Sequence, residues 1–161
     1  LPISSQASTS ISLLEMTLEL LDQLIEQENA TGSRDEKLFD YLFKKGKCQE
    51  KMRNYQGALL AYNECRLLSS EHSKVYLRTA QCYKKLNNSE RCAENLEMAV
   101  KIEMESVEEK DKVHLVDHML NLAALYLQNL NNNERAMYYA EAVHEKDKTN
   151  SGARMLMGKI N

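Results

Sequence analysis

Small residues recur along this chain at Gly46, Ala80, Ala124 and Gly158, with steps of 34, 44 and 34. A second series, Ala58, Cys92 and Ala136, steps 34 and then 44. Two more, Tyr62–Leu96–Ala140 and Cys65–Ala99–Val143, share the same spacing. Within a unit the first two marks are 12 apart, and the next two follow at 4 and 7. The short spacings place residues on one helical face. A period near 34 made of two helices predicts an all-α fold, a right-handed α-solenoid of antiparallel helix hairpins. A lone hairpin cannot bury its apolar face, so neighbouring units must stack. Gly or Ala in the first helix, and Ala58, Cys92 and Ala136 in the second, let the helices approach closely. Tyr62, Leu77 and Tyr83 are large enough to fill the space between units. A chain of this kind works by presenting a surface.

Composition narrows the options. The chain has 161 residues, one proline (Pro2) and five glycines, so little interrupts its helices. A net charge of −3 gives no support for direct nucleic-acid binding through overall charge. No apolar run approaches the ~18 residues of a membrane span, so no membrane partner is expected. The start, Leu-Pro-Ile-Ser-Ser, lacks the basic and apolar regions of a signal peptide. Cys48, Cys65, Cys82 and Cys92 show no Cys-x-x-Cys spacing and read as buried small residues in a reducing compartment, the cytoplasm or nucleus. Without an initiator Met, and stopping inside a unit, the sequence reads as a piece of something longer.

Residues 1–10 are Ser-rich and read as a flexible tail. An amphipathic capping helix is expected over 11–29, opened by a Ser12/Glu15 capping box. Its apolar residues Ile11, Leu14, Leu18, Leu21 and Ile25 step 3, 4, 3, 4, so packing as an end cap and homodimerisation through 11–28 are both open. Three helix pairs follow within 34–149, at about 39–72, 73–106 and 107–149, and 150–161 begins a fourth. Ser33/Glu36 and Ser106/Glu109 are further capping boxes, and the latter is expected to open one helix over 107–129. The ten extra residues behind the 44-residue step are thus expected to extend helices into water. Turns at Arg53-Asn54, Asn87-Asn88 and Asn131–Asn133 suit hairpins, because Asn tolerates the left-handed conformation.

The units Gly46-x2-Gln49 … Tyr55-x2-Ala58-x3-Tyr62-x2-Cys65 and Tyr76-x3-Ala80-x2-Tyr83 … Ser89-x2-Cys92-x3-Leu96-x2-Ala99 resemble tetratricopeptide repeats, as does Leu120-x3-Ala124 … Ala136-x3-Ala140-x2-Val143. The resemblance spans about 39–149. It departs from the family at Leu42, where an aromatic often stands, and in lacking the proline that often closes a unit. The longer third unit is similar to the extended-helix variants, such as those of kinesin light chain.

The resemblance implies a concave groove lined by first-helix side chains off the core stripe. In the first unit these are Asp40, Phe43, Lys44, Lys47, Glu50 and Lys51. In the second they are Lys74, Leu77, Arg78, Gln81, Lys84 and Lys85, and in the third His118, Asn121, Leu122, Leu125, Gln128 and Asn129. The first two units supply seven basic and two acidic residues, a net of +5 in a chain of net −3. Such a face suits an acidic peptide or helix of another protein, with Phe43, Leu77, Leu122 and Leu125 as apolar anchors. The clamp by which some members grip a chaperone C-terminal carboxylate needs Lys, Asn, Asn, Lys and Arg. Those places hold Phe43, Lys47, Arg78, His118 and Leu122, so that pattern is not matched.

Enzymatic chemistry is not expected. His114 and His118 lie four apart, as in a helical zinc motif, but Asp117 replaces the catalytic Glu and no third ligand is patterned. Gly46-Lys47 and Gly158-Lys159 lack the upstream glycine and the hydroxyl residue of a phosphate loop, and no Gly-x-Ser-x-Gly elbow occurs. No cofactor or metal is expected. The expected role is a scaffold or adaptor module binding a partner in its groove. The alternative is a structural or self-associating subunit that packs through the 11–28 helix and convex face.

Overall fold

Three turns of the same construction punctuate the chain. Arg53, Asn87 and Asn131 adopt left-handed backbone, at φ 60°, 57° and 51°. Each is followed by an asparagine whose side-chain oxygen accepts the N–H three residues on: Asn54 from Gly57, Asn88 from Arg91 and Asn132 from Arg135, at 3.0, 3.1 and 3.0 Å. The first residue ends one helix and the second caps the next.

The computed structural model describes residues 2–161, with side chains from Thr9 onward. Among the described residues there are eight α-helices and no strand. These are α1 (Pro2–Ala30), α2 (Glu36–Lys51), α3 (Tyr55–Leu68), α4 (Ser73–Lys85), α5 (Ser89–Glu105), α6 (Leu115–Gln128), α7 (Asn133–Lys146) and α8 (Ser151–Ile160). Two compact units divide them, Leu1–Leu86 and Asn87–Asn161. In the first, α2 packs on α1 and α3, and α4 packs on α3 and meets α2. In the second, α6 packs on α5, α7 and α8. No described helix is long and apolar enough to cross a membrane.

The recurring positions are core positions. Ala58, Tyr62, Cys65, Ala99, Ala136, Ala140 and Val143 are all fully buried, and Gly46 and Ala80 are buried too. Ala124 is half-buried, and Gly158, the last mark, is exposed. At Gly46 a side chain has no room: an added Cβ would lie 2.7 Å from Cδ1 and Cζ of the Tyr62 ring. All four cysteines are buried, and burial pushes the thiols of Cys65 and Cys82 up to about 12.

Tyr62 carries a polar tip into this core. Its hydroxyl donates to a Glu50 carboxylate oxygen, and the Arg78 guanidinium lies 3.6 Å from the same oxygen. Burial first, and then the bond to Glu50, hold the phenol far above its ordinary pKa. The second unit repeats the chemistry with other residues. Glu97 Oε1 on α5 accepts from Tyr126 at 2.5 Å, Arg135 at 2.5 Å and Tyr139 at 3.2 Å. Burial, followed by the Glu97 bond, pushes the Tyr126 phenol up to about 12.

Several local expectations are corrected. Helix α1 begins at Pro2, so from there on the expected tail is helical and Ser12 caps nothing. The N-cap of α2 is Asp35 and not Ser33. The Asp35 carboxylate accepts from Leu38 N–H at 3.2 Å, a bond that holds its pKa below the usual carboxylate value. The helix expected over 107–129 is broken: α5 runs on to Glu105, a short 3₁₀ turn spans Glu109–Lys112, and α6 starts at Leu115. Ser106 explains the break. Its hydroxyl accepts from Glu108 N–H at 3.2 Å and donates to Asp111 at 2.6 Å, a local turn that competes with helix. Val107, 93% exposed, and the charged run after it give a helix no apolar stripe to bury.

Two stability changes are expected. Gly46→Ala forces the ring of Tyr62 out of a filled site. Overpacking of this kind costs about 1–3 kcal/mol, against a helix-propensity gain below about 1, so chemical denaturation should show a net loss. Glu50→Ala leaves the buried Tyr62 hydroxyl without an acceptor and should cost about 1–3 kcal/mol. Adding Tyr62→Phe should restore part of that loss in a double-mutant cycle.

Candidate functional site

The expected groove residues of the first unit fall on α2 and α4. Phe43 is their centre. Its half-buried ring lies parallel to Phe39, with centroids 6.4 Å apart, and tilts against Tyr62 at 5.7 Å. Two ammonium groups flank it: Lys74 Nζ at 4.7 Å and Lys47 Nζ at 5.2 Å from the ring centroid. Both distances suit a cation–π contact. Neither lysine has a carboxylate partner among the described residues. Lys74 also stands 5.5 Å from the Phe39 ring, beside a cleft of about 370 Å³ lined in part by Asp40 and His72.

The other cations divide by cause. Lys51 occupies the last turn of α2, and Lys84 and Lys85 the last turn of α4, where positive charge offsets the helix dipole. Lys44 is exposed. Arg78 is already engaged by Glu50. Leu77 is half-buried beside it, and Gln81 is exposed. The structure thus sets Lys47 and Lys74 on Phe43, Phe43 on Tyr62, and Arg78 on the Glu50 that accepts from Tyr62.

The third set, on α6, forms no comparable cluster. Leu122 is fully buried, so its expected role as a groove anchor is corrected to a core role. His118 Nδ1 lies 2.9 Å from Oε2 of buried Glu103 on α5, so its ring is committed to a helix–helix contact. Leu125 is half-buried and Asn121 is exposed. The rings of His114 and His118 are 6.2 Å apart, and among the described residues no group of three or more His, Cys, Asp or Glu side chains is placed to hold a metal.

Sequence reasoning missed the bracketed aromatic. The 4-residue step that joins Phe43 to Lys47 was legible, but the reach of Lys74 across from α4 was not. It also missed a cleft on α5 and α7 lined by Met98, Met104 and Tyr138, residues off the core stripe of their helices.

No protein-family model matches the chain. In sequence it is similar to sperm-associated antigen 1 of Mus musculus, 35% identical over 95 residues, which is 59% of this chain and 10% of that protein. The Rattus norvegicus counterpart is 32% identical over 81 residues, 50% of this chain and 9% of its own length. The chain thus spans about a tenth of the length of the curated relatives it matches. Among solved structures, the TPR-like repeats of a putative kinesin light chain from Podosopora anserina superpose with a TM-score of 0.67 at 14% identity, covering 96% of this chain and 89% of that one. A tetratricopeptide repeat protein from Parabacteroides merdae gives a TM-score of 0.61 at 15% identity, covering 90% of this chain and 59% of the other. Two-helix units marked by buried small residues, Asn-capped turns and this structural likeness together make the chain a tetratricopeptide-like helical repeat by fold.

Proposed function

We propose that this chain is a protein-interaction module whose α2–α4 face binds an acidic segment of another protein. The observation that carries the reading is the Phe43 ring with Lys47 and Lys74 both over it, two cations without carboxylate partners among the described residues. An acidic side chain near Phe43 would meet both ammonium groups, and the adjoining cleft beside Phe39 has room for a neighbouring side chain. Charge-assisted contacts of this kind set orientation and association rate and weaken with salt. The fold supports the class of role by analogy alone. Buried thiols at Cys48, Cys65 and Cys82 support a reducing compartment, the cytoplasm or nucleus. A chaperone carboxylate clamp is not proposed, because Leu122 stands buried at one of its five places.

A second reading has its own observation. Helix α1 leaves Ile11, Leu13, Met16 and Leu20 exposed while burying Leu21 and Ile25. That outer row favours packing within a larger assembly. Pairing of two copies through α1 is opposed by its charge: it carries five acidic residues and no basic one.

The test is affinity capture from lysate with wild type and a Lys47→Glu/Lys74→Glu variant, at low and moderate salt. This variant spares the Glu50–Arg78 pair, and circular dichroism checks its fold. Partners bearing acidic segments should be lost from the variant. For one such peptide, titration should show at least about tenfold weaker binding, or ~1.4 kcal/mol. Equal retention by both proteins rejects the basic face. Loss on Leu13→Glu/Leu20→Glu instead favours α1.

A further inference from the structure

We propose that the outer row of α1 is a docking ridge for a basic amphipathic helix of a partner protein, one with an apolar stripe and lysines or arginines along a single edge. This rests on the reading in which α1 packs within a larger assembly, and it is independent of the basic face around Phe43.

Helix α1 has two apolar rows, and the first unit uses one of them. Leu21 and Ile25 are buried, and Leu14 and Leu18 half-buried, on the side that packs on α2. Leu13, Met16 and Leu20, in steps of 3 and 4, lie on the other side and are 59%, 63% and 55% exposed. Gln23 and Gln27 continue this outer row, so its apolar part ends after about two turns. The ridge is held in place. Lys45 of α2 pairs with Asp22 at 2.8 Å, and the Cys48 thiol donates to the Leu14 carbonyl at 3.3 Å. An occupant therefore meets a formed helix. Its backbone groups are spent within the helix, so no strand can add to it, whereas side chains at 3–4 spacing form the ridge on which another helix packs.

Charge chooses among helices. Helix α1 carries five carboxylates and no cation. Four of them, Glu15, Glu19, Asp22 and Glu26, step 4, 3 and 4 along one edge of the outer row. At 1.5 Å per residue that edge is about 16 Å long. All four are exposed, and only Asp22 has an ion-pair partner among the described residues. Glu15, Glu19 and Glu26 are thus left uncompensated. The opposite edge, at Thr17 and Leu24, is uncharged, so the occupant needs cations on one edge alone. A second copy offers no match. Its own α1 brings the same carboxylates, and α8, with Arg154 and Lys159, exposes Met155 alone among its large apolar side chains. An anionic lipid surface is repelled by the same edge. A basic partner helix is the complementary occupant.

The test uses the full chain and a fluorescein-labelled peptide of three heptads, about 21 residues, with leucines at 3–4 spacing and lysines along one edge. In one control the lysines move to the face opposite the leucines, and in the other they become glutamates. The first peptide should bind. Leu13→Glu/Leu20→Glu, and separately Glu15→Lys/Glu19→Lys, should each weaken it at least about tenfold. In wild type labelled at its methionine methyls, the peptide should shift Met16 and leave Met155 in place. The glutamate peptide should leave Met16 unshifted, whatever it does at the basic face around Phe43. These shifts decide the matter even if a double variant does not fold. Absence of binding overturns the proposal. So do an unshifted Met16, equal binding of the peptide with displaced lysines, or a dimer abolished by Leu20→Glu. Lysate partners lost on Leu13→Glu/Leu20→Glu, with no binding of the lysine peptide, leave α1 as a packing surface but overturn the basic helix as its occupant.

Discussion

The contact of Tyr62 with Gly46 governs the first unit. A ring can lie on the α2 backbone only where α2 has no Cβ, and there it brings its hydroxyl into the core. A buried hydroxyl needs an acceptor, and Glu50 supplies one. That carboxylate, half-buried itself, is matched by Arg78 from α4. Three helices are thereby tied by one aromatic side chain. Phe43 leans on the same ring, so the contact that closes the core also sets the floor on which Lys47 and Lys74 sit. Surface and core in this unit are one construction.

The second unit meets the same need from different positions. Glu97 lies on α5, the first helix of the second unit, whereas Glu50 lies on α2 of the first. Its single oxygen collects donors from α6 and α7. His118 completes the join between α5 and α6 through Glu103. A common backbone repeat therefore carries two unlike surfaces. One is cationic around an aromatic ring, and the other sets exposed methionines beside glutamates paired with arginines.

Much of the fold was legible because backbone requirements leave marks in sequence. Only small residues fit where helices nearly touch, and asparagine serves both left-handed turns and N-caps, so these positions recur at countable intervals. The functional surface was less legible. Register gives the face of a helix but not the depth of a side chain. Leu122 stands in register with Lys44 and Arg78, yet a leucine turns into the core where a lysine reaches water. The stretch after α5 misled for another reason. Its composition suits a helix, but Ser106 bonds locally and no apolar stripe rewards continuing. Asp35 displaced Ser33 as the cap of α2 by standing next to the first helical turn with a stronger acceptor.

The loop between α5 and α6 absorbs the extra length without disturbing what flanks it. Ser106 ends one helix, the 3₁₀ turn spends the surplus residues, and the positional marks resume at Ala124 and Ala136. Chain added at such a place enters water and not the core, and its closure entropy grows only slowly with length. The 106–114 segment is therefore a natural point for graft or insertion, where a reporter or an extra binding element can be carried while both bordering helices keep their packing.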